Sequence, residues 1–97
     1  MYKIIYHPLI EEDLKKINNS IQIEIFKKIE KIKHSPQLGN LLGNKNNMNL
    51  SGLRKLYVAK KQIRIVYEIV NDILVVKVIA IGKREGMEVY QEAERRR

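Results

Sequence analysis

The order of hydrophobic patterns along the chain predicts an α+β fold. It comprises an N-terminal strand, an αα hairpin, then a three- to four-stranded antiparallel sheet with helices on one face and a short C-terminal helix. Three observations carry this. The opening "YKIIY" is short and β-prone. Residues 9–34 repeat apolar side chains at helical spacing. Three strand-like runs follow, "LRKLYV", "QIRIVYEIV" and "ILVVKVIAI".

His7-Pro8 ends the first strand, and Pro8 suits an early helix position. Leu9, Ile10, Leu14 and Ile17 fall along one helical face, with Glu11, Glu12 and Asp13 in the first turns, where the macrodipole favours acids. "NNS" breaks this helix, and Asn19 with Gln22 forms a capping-box pattern for the next. Ile21, Ile25, Ile29 and Ile32 then repeat on one face until Ser35-Pro36 stops the helix. "QLGNLLGNKNNMNLS" reads as a long loop. Asn71-Asp72 is a two-residue hairpin signal between the second and third runs. The third run is apolar on both faces, which suits a central strand, and "EVYQEAERRR" predicts a helix frayed at its three arginines.

Ninety-seven residues with 44% hydrophobic content suit one domain over residues 1–97 with a modest core. The chain has no cysteine, which excludes disulfides and a thiol nucleophile and fits a cytoplasmic protein. No apolar run reaches membrane-span length, so no membrane partner is expected. The acids near the start do not fit a signal peptide. Net charge is +8, and its placement matters more than its size. Lys31 to Tyr67 contains eight cations and no Asp or Glu, while the remainder cancels. A polyanion-binding surface and a solubilising lysine surface both satisfy this pattern.

Strand alternation places Leu53, Lys55 and Tyr57 on one face and Arg54, Leu56 and Val58 on the other. Arg64 projects opposite an Ile/Tyr face, and Lys83 and Arg84 end the next strand. One open sheet face is therefore expected to gather Lys55, Arg64, Arg84 and Tyr90. Two histidines, with no acid in the basic region, do not suggest a metal site, and neither a Gly-rich phosphate loop nor a serine triad is present. No cofactor is expected. RNA, however, carries its own nucleophile, the 2′-OH. Its cleavage needs that hydroxyl activated, the phosphate held in line, and transition-state charge neutralised. Cations with one placed tyrosine are chemically sufficient for this.

These residues match a known pattern. "YKIIYHPLIEEDLKKI", "LSGLRKLYV", "QIRIVYEIV" and above all "VIAIGKREGMEVYQEAERR" resemble the RelE/ParE superfamily of type II toxin–antitoxin toxins, and within it the RelE branch of mRNA interferases. The resemblance covers nearly the whole chain and is most specific at Ile81-Gly82-Lys83-Arg84-Glu85 with Glu88-Val89-Tyr90.

The resemblance implies a RelE-like fold and a ribosome-dependent endoribonuclease that cuts mRNA in the ribosomal A site by 2′-OH attack, without metal. It implies Lys55 as a basic position, Arg64 on the scissile phosphate, and Arg84 stabilising charge near the 5′-oxygen. Tyr90 is then the ring that stacks on the substrate nucleotide, with Arg54 and Lys83 as supporting phosphate contacts. The family's usual second lysine, favoured as general base, is replaced here by Tyr57. Tyr57, Lys60 and Lys61 are therefore the candidates for the base. Implied partners are a cognate antitoxin, mRNA and the ribosome, with operator DNA reached only through the antitoxin. A ParE-like gyrase poison and a non-catalytic nucleic-acid- or ribosome-binding module on the same fold are the alternatives.

Overall fold

The structure, a computed structural model, describes residues 1–45, 47–83 and 85–97. Strand β1 (Lys3–Tyr6) leads into the helical hairpin α1 (Ile10–Lys15) and α2 (Asn19–His34). After a 3₁₀ turn at Pro36–Leu38 come the short strands β2 (Asn40–Leu41), β3 (Asn44–Lys45) and β4 (Met48–Asn49). The long strands β5 (Leu53–Val58), β6 (Ile63–Val70) and β7 (Val75–Lys83) precede helix α3 (Glu88–Arg96).

Five strands form one sheet in the order β1-β7-β6-β5-β2, and β3 and β4 form a separate ribbon. The α+β class and the C-terminal helix stand as expected. Three details differ. First, β1 pairs with β7 in parallel, with Lys3 opposite Val75 and Tyr6 opposite Val78. The helical hairpin and strands β2–β6, which all lie between the two in sequence, supply the long connection a parallel pairing requires. Second, the expected long loop is partly ordered by β2, which pairs with β5, and by the β3–β4 ribbon. Third, the two-residue hairpin at Asn71-Asp72 is a longer connection: Val70 pairs with Val75, and Leu74 takes the left-handed conformation at φ 53°.

The helical hairpin packs on one sheet face. Ile25, Ile29 and Ile32 of α2 meet Ile65, Tyr67, Val76 and Val78, all buried. Burying each such side chain contributes roughly 2 kcal/mol. The cap of α2 is Asn18 rather than Asn19: its Oδ1 accepts from the Ser20 backbone N–H at 2.8 Å and the Ser20 hydroxyl at 2.7 Å. Gln22 instead donates to the carbonyls of Leu14 and Ile17, both at 2.8 Å, and so closes the end of α1 onto α2.

The other face is not open. Val89, Tyr90 and Ala93 of α3, with Leu42, Met48 and Leu50, build a second core over Leu53, Val66 and Ala80. Gly82 makes this close approach possible, because a Cβ there would stand 3.3 Å from the Cβ of Val89. Nor is the end of α3 frayed. Arg96 donates to Asp13 through both terminal nitrogens, at 2.7 and 2.8 Å, and to the Ile79 carbonyl at 3.1 Å. Arg97 bonds the Ser51 and Asn49 carbonyls. Asp13 is thus not a solvent-facing dipole acid. It lies in phase with Ile10 and Ile17 on the buried side of α1 and also accepts the Ile81 N–H at 3.0 Å.

Candidate active site

Register brings the predicted side chains together on the α3 side of the sheet. Tyr57 lies opposite Arg64, and Arg64 opposite Gly82. One step away, Lys55 lies opposite Val66, and Val66 opposite Ala80. Because Lys55 and Tyr57 are two apart on one strand, their side chains share this face. Val66 and Ala80 pass under α3, whereas Lys55, Tyr57 and Arg64 stay half-exposed at its margin.

Within this row the Lys55 ammonium donates to the Tyr57 hydroxyl at 2.9 Å and also stands 4.7 Å from the centre of its ring. Arg64 lies between two aromatic rings. Its guanidinium carbon is 5.7 Å from the Tyr57 centroid and 4.7 Å from that of Tyr90. Such stacking orients the planar cation while leaving its edge donors to other partners. Nε and Nη1 of Arg64 are buried and have no hydrogen-bond partner among the described residues. These two nitrogens lie on different edges of the guanidinium and face the interior, so it is as a fixed positive charge beside Tyr57 that Arg64 contributes to the site.

The hydrogen bond from Lys55 holds the Tyr57 phenol below its ordinary pKa of 10.0. Partial burial opposes it, and the charges of Lys55 and Arg64 add to it. The Tyr57 phenol is accordingly eased toward its deprotonated form.

The other predicted residues separate. Tyr90 is only 1% exposed, so its ring supports Arg64 from the core side and is not offered as a base-stacking surface. Arg54 lies on the opposite face, paired with Tyr67, and donates to the Gly39 carbonyl at 2.8 Å. It ties the 37–39 segment to β5, on the face away from the Lys55–Arg64 row. Lys83 pairs with Ile63 and so falls out of the Arg64–Gly82 row. Lys61 approaches Tyr57, with Nζ 5.9 Å from the ring centre. Lys60 and Lys61 stand in the β5–β6 turn, where Ala59, Lys60 and Lys61 take left-handed φ of 54°, 53° and 71°. Arg84 lies outside the described residues.

Two residues that shape the site were missed by the sequence reading, Asp13 and Arg96, which fix α3 and hence Tyr90. An acid at an apolar position of the Ile10–Ile17 stripe was the available signal.

Comparison with known proteins agrees with this fold. The sequence model of the family described as "ParE toxin of type II toxin-antitoxin system, parDE" matches residues 4–87, from β1 to just before α3. The chain is 32% identical over 88 residues to the mRNA interferase toxin RelE of Escherichia coli strain K12, covering 88% of this chain and 85% of that protein. Mutant E. coli RelE in the free state superposes with a TM-score of 0.78 at 26% identity, covering 98% of this chain and 96% of that one. The same mutant toxin in complex with an antitoxin RelB peptide gives 0.72 at 26% identity, over 95% and 93% of the two chains. The fold and the extent of these matches together make the chain a member of the RelE/ParE superfamily of type II toxin–antitoxin toxins.

Proposed function

We propose that this toxin cleaves mRNA in the ribosomal A site, with Tyr57 as general base and Arg64 on the scissile phosphate. One observation carries the assignment: the Lys55 ammonium bonded to the Tyr57 hydroxyl at 2.9 Å, beside the Arg64 guanidinium 5.7 Å from the centre of the same ring. The RelE relative named as an mRNA interferase supports the reaction class.

In this mechanism the Tyr57 phenolate takes the 2′-OH proton as the 2′-oxygen attacks phosphorus. The 2′-O–P bond forms, the P–O5′ bond breaks, and the 5′-oxygen takes a proton from a neighbouring cation. The family resemblance assigns that last role to Arg84. Products are a 2′,3′-cyclic phosphate and a 5′-hydroxyl. Arg64 and Lys55 neutralise the charge that builds on the phosphoryl oxygens, the step where fixed cations contribute most. No metal ion enters this scheme. The partner is a cognate antitoxin, consistent with the RelB complexes of related toxins. Operator DNA is reached through the antitoxin, and the toxin acts in the cytoplasm.

The test is a translation reaction supplemented with purified toxin. Cleavage within A-site codons and 2′,3′-cyclic phosphate ends are expected. Cleavage that maps identically without ribosomes, or no cleavage, overturns the reading. The match to the ParE family model favours gyrase poisoning as the second reading. Trapped gyrase–DNA complexes in a supercoiling assay, with mRNA left intact, would establish it.

A further inference from the structure

An open groove of about 630 Å³ lies between the β5–β6 turn, the α1–α2 corner and the end of β7. Four exposed lysines line it: Lys16, Lys60, Lys61 and Lys83. One acid, Glu85, stands at its wall. Among the described residues, none of the four lysines forms an ion pair, although Lys15 beside them pairs with Glu12. Four unpaired like charges facing one concavity repel one another and raise the local potential for an anion.

Two further features act in the same direction. Asn18 and Ile21 also line the groove, so the N-terminal end of the 16-residue α2 opens onto it, and the first turn of that helix carries no acid. The turn presenting Lys60 and Lys61 holds three consecutive non-glycine residues at left-handed φ, a conformation that side chains disfavour. Ile17, Ile21 and Ile63 add apolar surface to the lining between the lysines. Apolar surface among cations suits a sugar–phosphate strand better than a compact ion.

Lys61 connects this groove to the catalytic row, lining the groove while its Nζ stands 5.9 Å from the Tyr57 ring. The geometry points to a phosphodiester track: the groove holds the RNA strand where it continues beyond the cleaved linkage. This rests on the reading of the Tyr57–Arg64 site as an RNA site. An acidic polypeptide is the competing occupant. Continuity through Lys61 with a site that reacts on RNA favours the nucleic acid.

The experiment measures binding of labelled single-stranded oligouridylates of about four and about twelve nucleotides over a salt series. Wild type is compared with Lys16→Gln, Lys16→Gln/Lys60→Gln and the charge-matched control Lys27→Gln, each checked for an unchanged melting curve. Lys16→Gln is expected to leave the short RNA within twofold. The double variant is expected to weaken the long RNA about tenfold and to reduce its salt slope by roughly 0.7 per lysine removed. The control should do neither. Equal losses on both lengths, or none on either, overturn the track. So does a groove-dependent loss seen only with a glutamate-rich peptide. Wild type that binds no RNA of either length overturns the track, while the site reading stands or falls separately on cleavage in the translation reaction. Wild type that binds both lengths equally removes only the groove.

Discussion

Asp13 on α1 and Arg96 on α3 form a two-pronged ion pair across 83 residues of sequence, with side chains 10% and 7% exposed. The pair is also roofed into the sheet, since Asp13 accepts the Ile81 N–H and Arg96 donates to the Ile79 carbonyl. It therefore clamps the two helices that lie on opposite faces to the same strand. Arg96→Ala strands a buried carboxylate and is expected to cost about 3 kcal/mol. For a chain of this size that lowers Tm by more than roughly 10 °C in a thermal melt. A shift of a degree or two would show that solvent already satisfies Asp13.

The same pair marks where sequence reading stops. β5, β6, β7 and α3 were legible because apolar alternation and helical periodicity are local signals. Lys55, Tyr57 and Arg64 were placed together because strand parity decides which side chains share a face. Face coverage is not local. α3 lies over the face expected to be open because Gly82 admits Val89 and because Arg96 meets Asp13, contacts that no window of the sequence contains. Tyr90 was therefore read as exposed, whereas it is core. Arg54 was read as a phosphate contact because charge alone does not reveal that the Gly39 carbonyl lies within its reach.

Tyr57→Phe removes the proposed base and the acceptor of Lys55 but little volume. Cleavage in a translation reaction is expected to fall by about 10²–10⁴-fold, with Tm nearly unchanged. Activity retained within a few-fold assigns proton abstraction to another group, and Lys55, whose Nζ is 2.9 Å from the Tyr57 hydroxyl, is then the nearest.

The pH dependence has a definite direction. Because Tyr57 titrates below 10.0 in the folded chain, the cleavage rate should rise with pH and level off below that value. Lys55→Ala removes the principal cause of the shift, so the levelling point should move upward. Between the folded value and 10.0 the unfolded chain holds more protons on this phenol. Tyr57 therefore adds stability that is present above 10.0 and lost as pH falls through its folded value. Tyr67 behaves oppositely. Burial raises its pKa, so its contribution is complete below 10.0 and lost as pH rises through its folded value. A levelling point that Lys55→Ala leaves in place removes Tyr57 from the base role.

Gly39 is required by proximity. A Cβ there would stand 2.6 Å from the Tyr67 hydroxyl and 2.7 Å from the Lys55 carbonyl oxygen. That hydroxyl accepts the Gly39 N–H at 2.8 Å and donates to the Pro36 carbonyl at 2.6 Å, both buried. Gly39→Ala should thus combine overpacking with stranded polar groups, at about 2–4 kcal/mol in a denaturant melt. Gly43→Ala is the comparison, since a Cβ there meets nothing within 4 Å and should change stability little.

Tyr90 separates two accounts of the site. Its hydroxyl is buried without a hydrogen-bond partner among the described residues, while its ring lies 4.7 Å from the Arg64 guanidinium. If the ring serves by supporting Arg64, Tyr90→Phe keeps the aromatic face, removes an unsatisfied hydroxyl, and should preserve both cleavage and stability. Tyr90→Leu fills much of the core volume but loses the ring face, leaving Arg64 free to swing. Its cleavage should fall at least tenfold while the protein remains folded by circular dichroism. A large loss in Tyr90→Phe would show instead that the hydroxyl itself reaches substrate, and that α3 must move from the position seen here before RNA is cut.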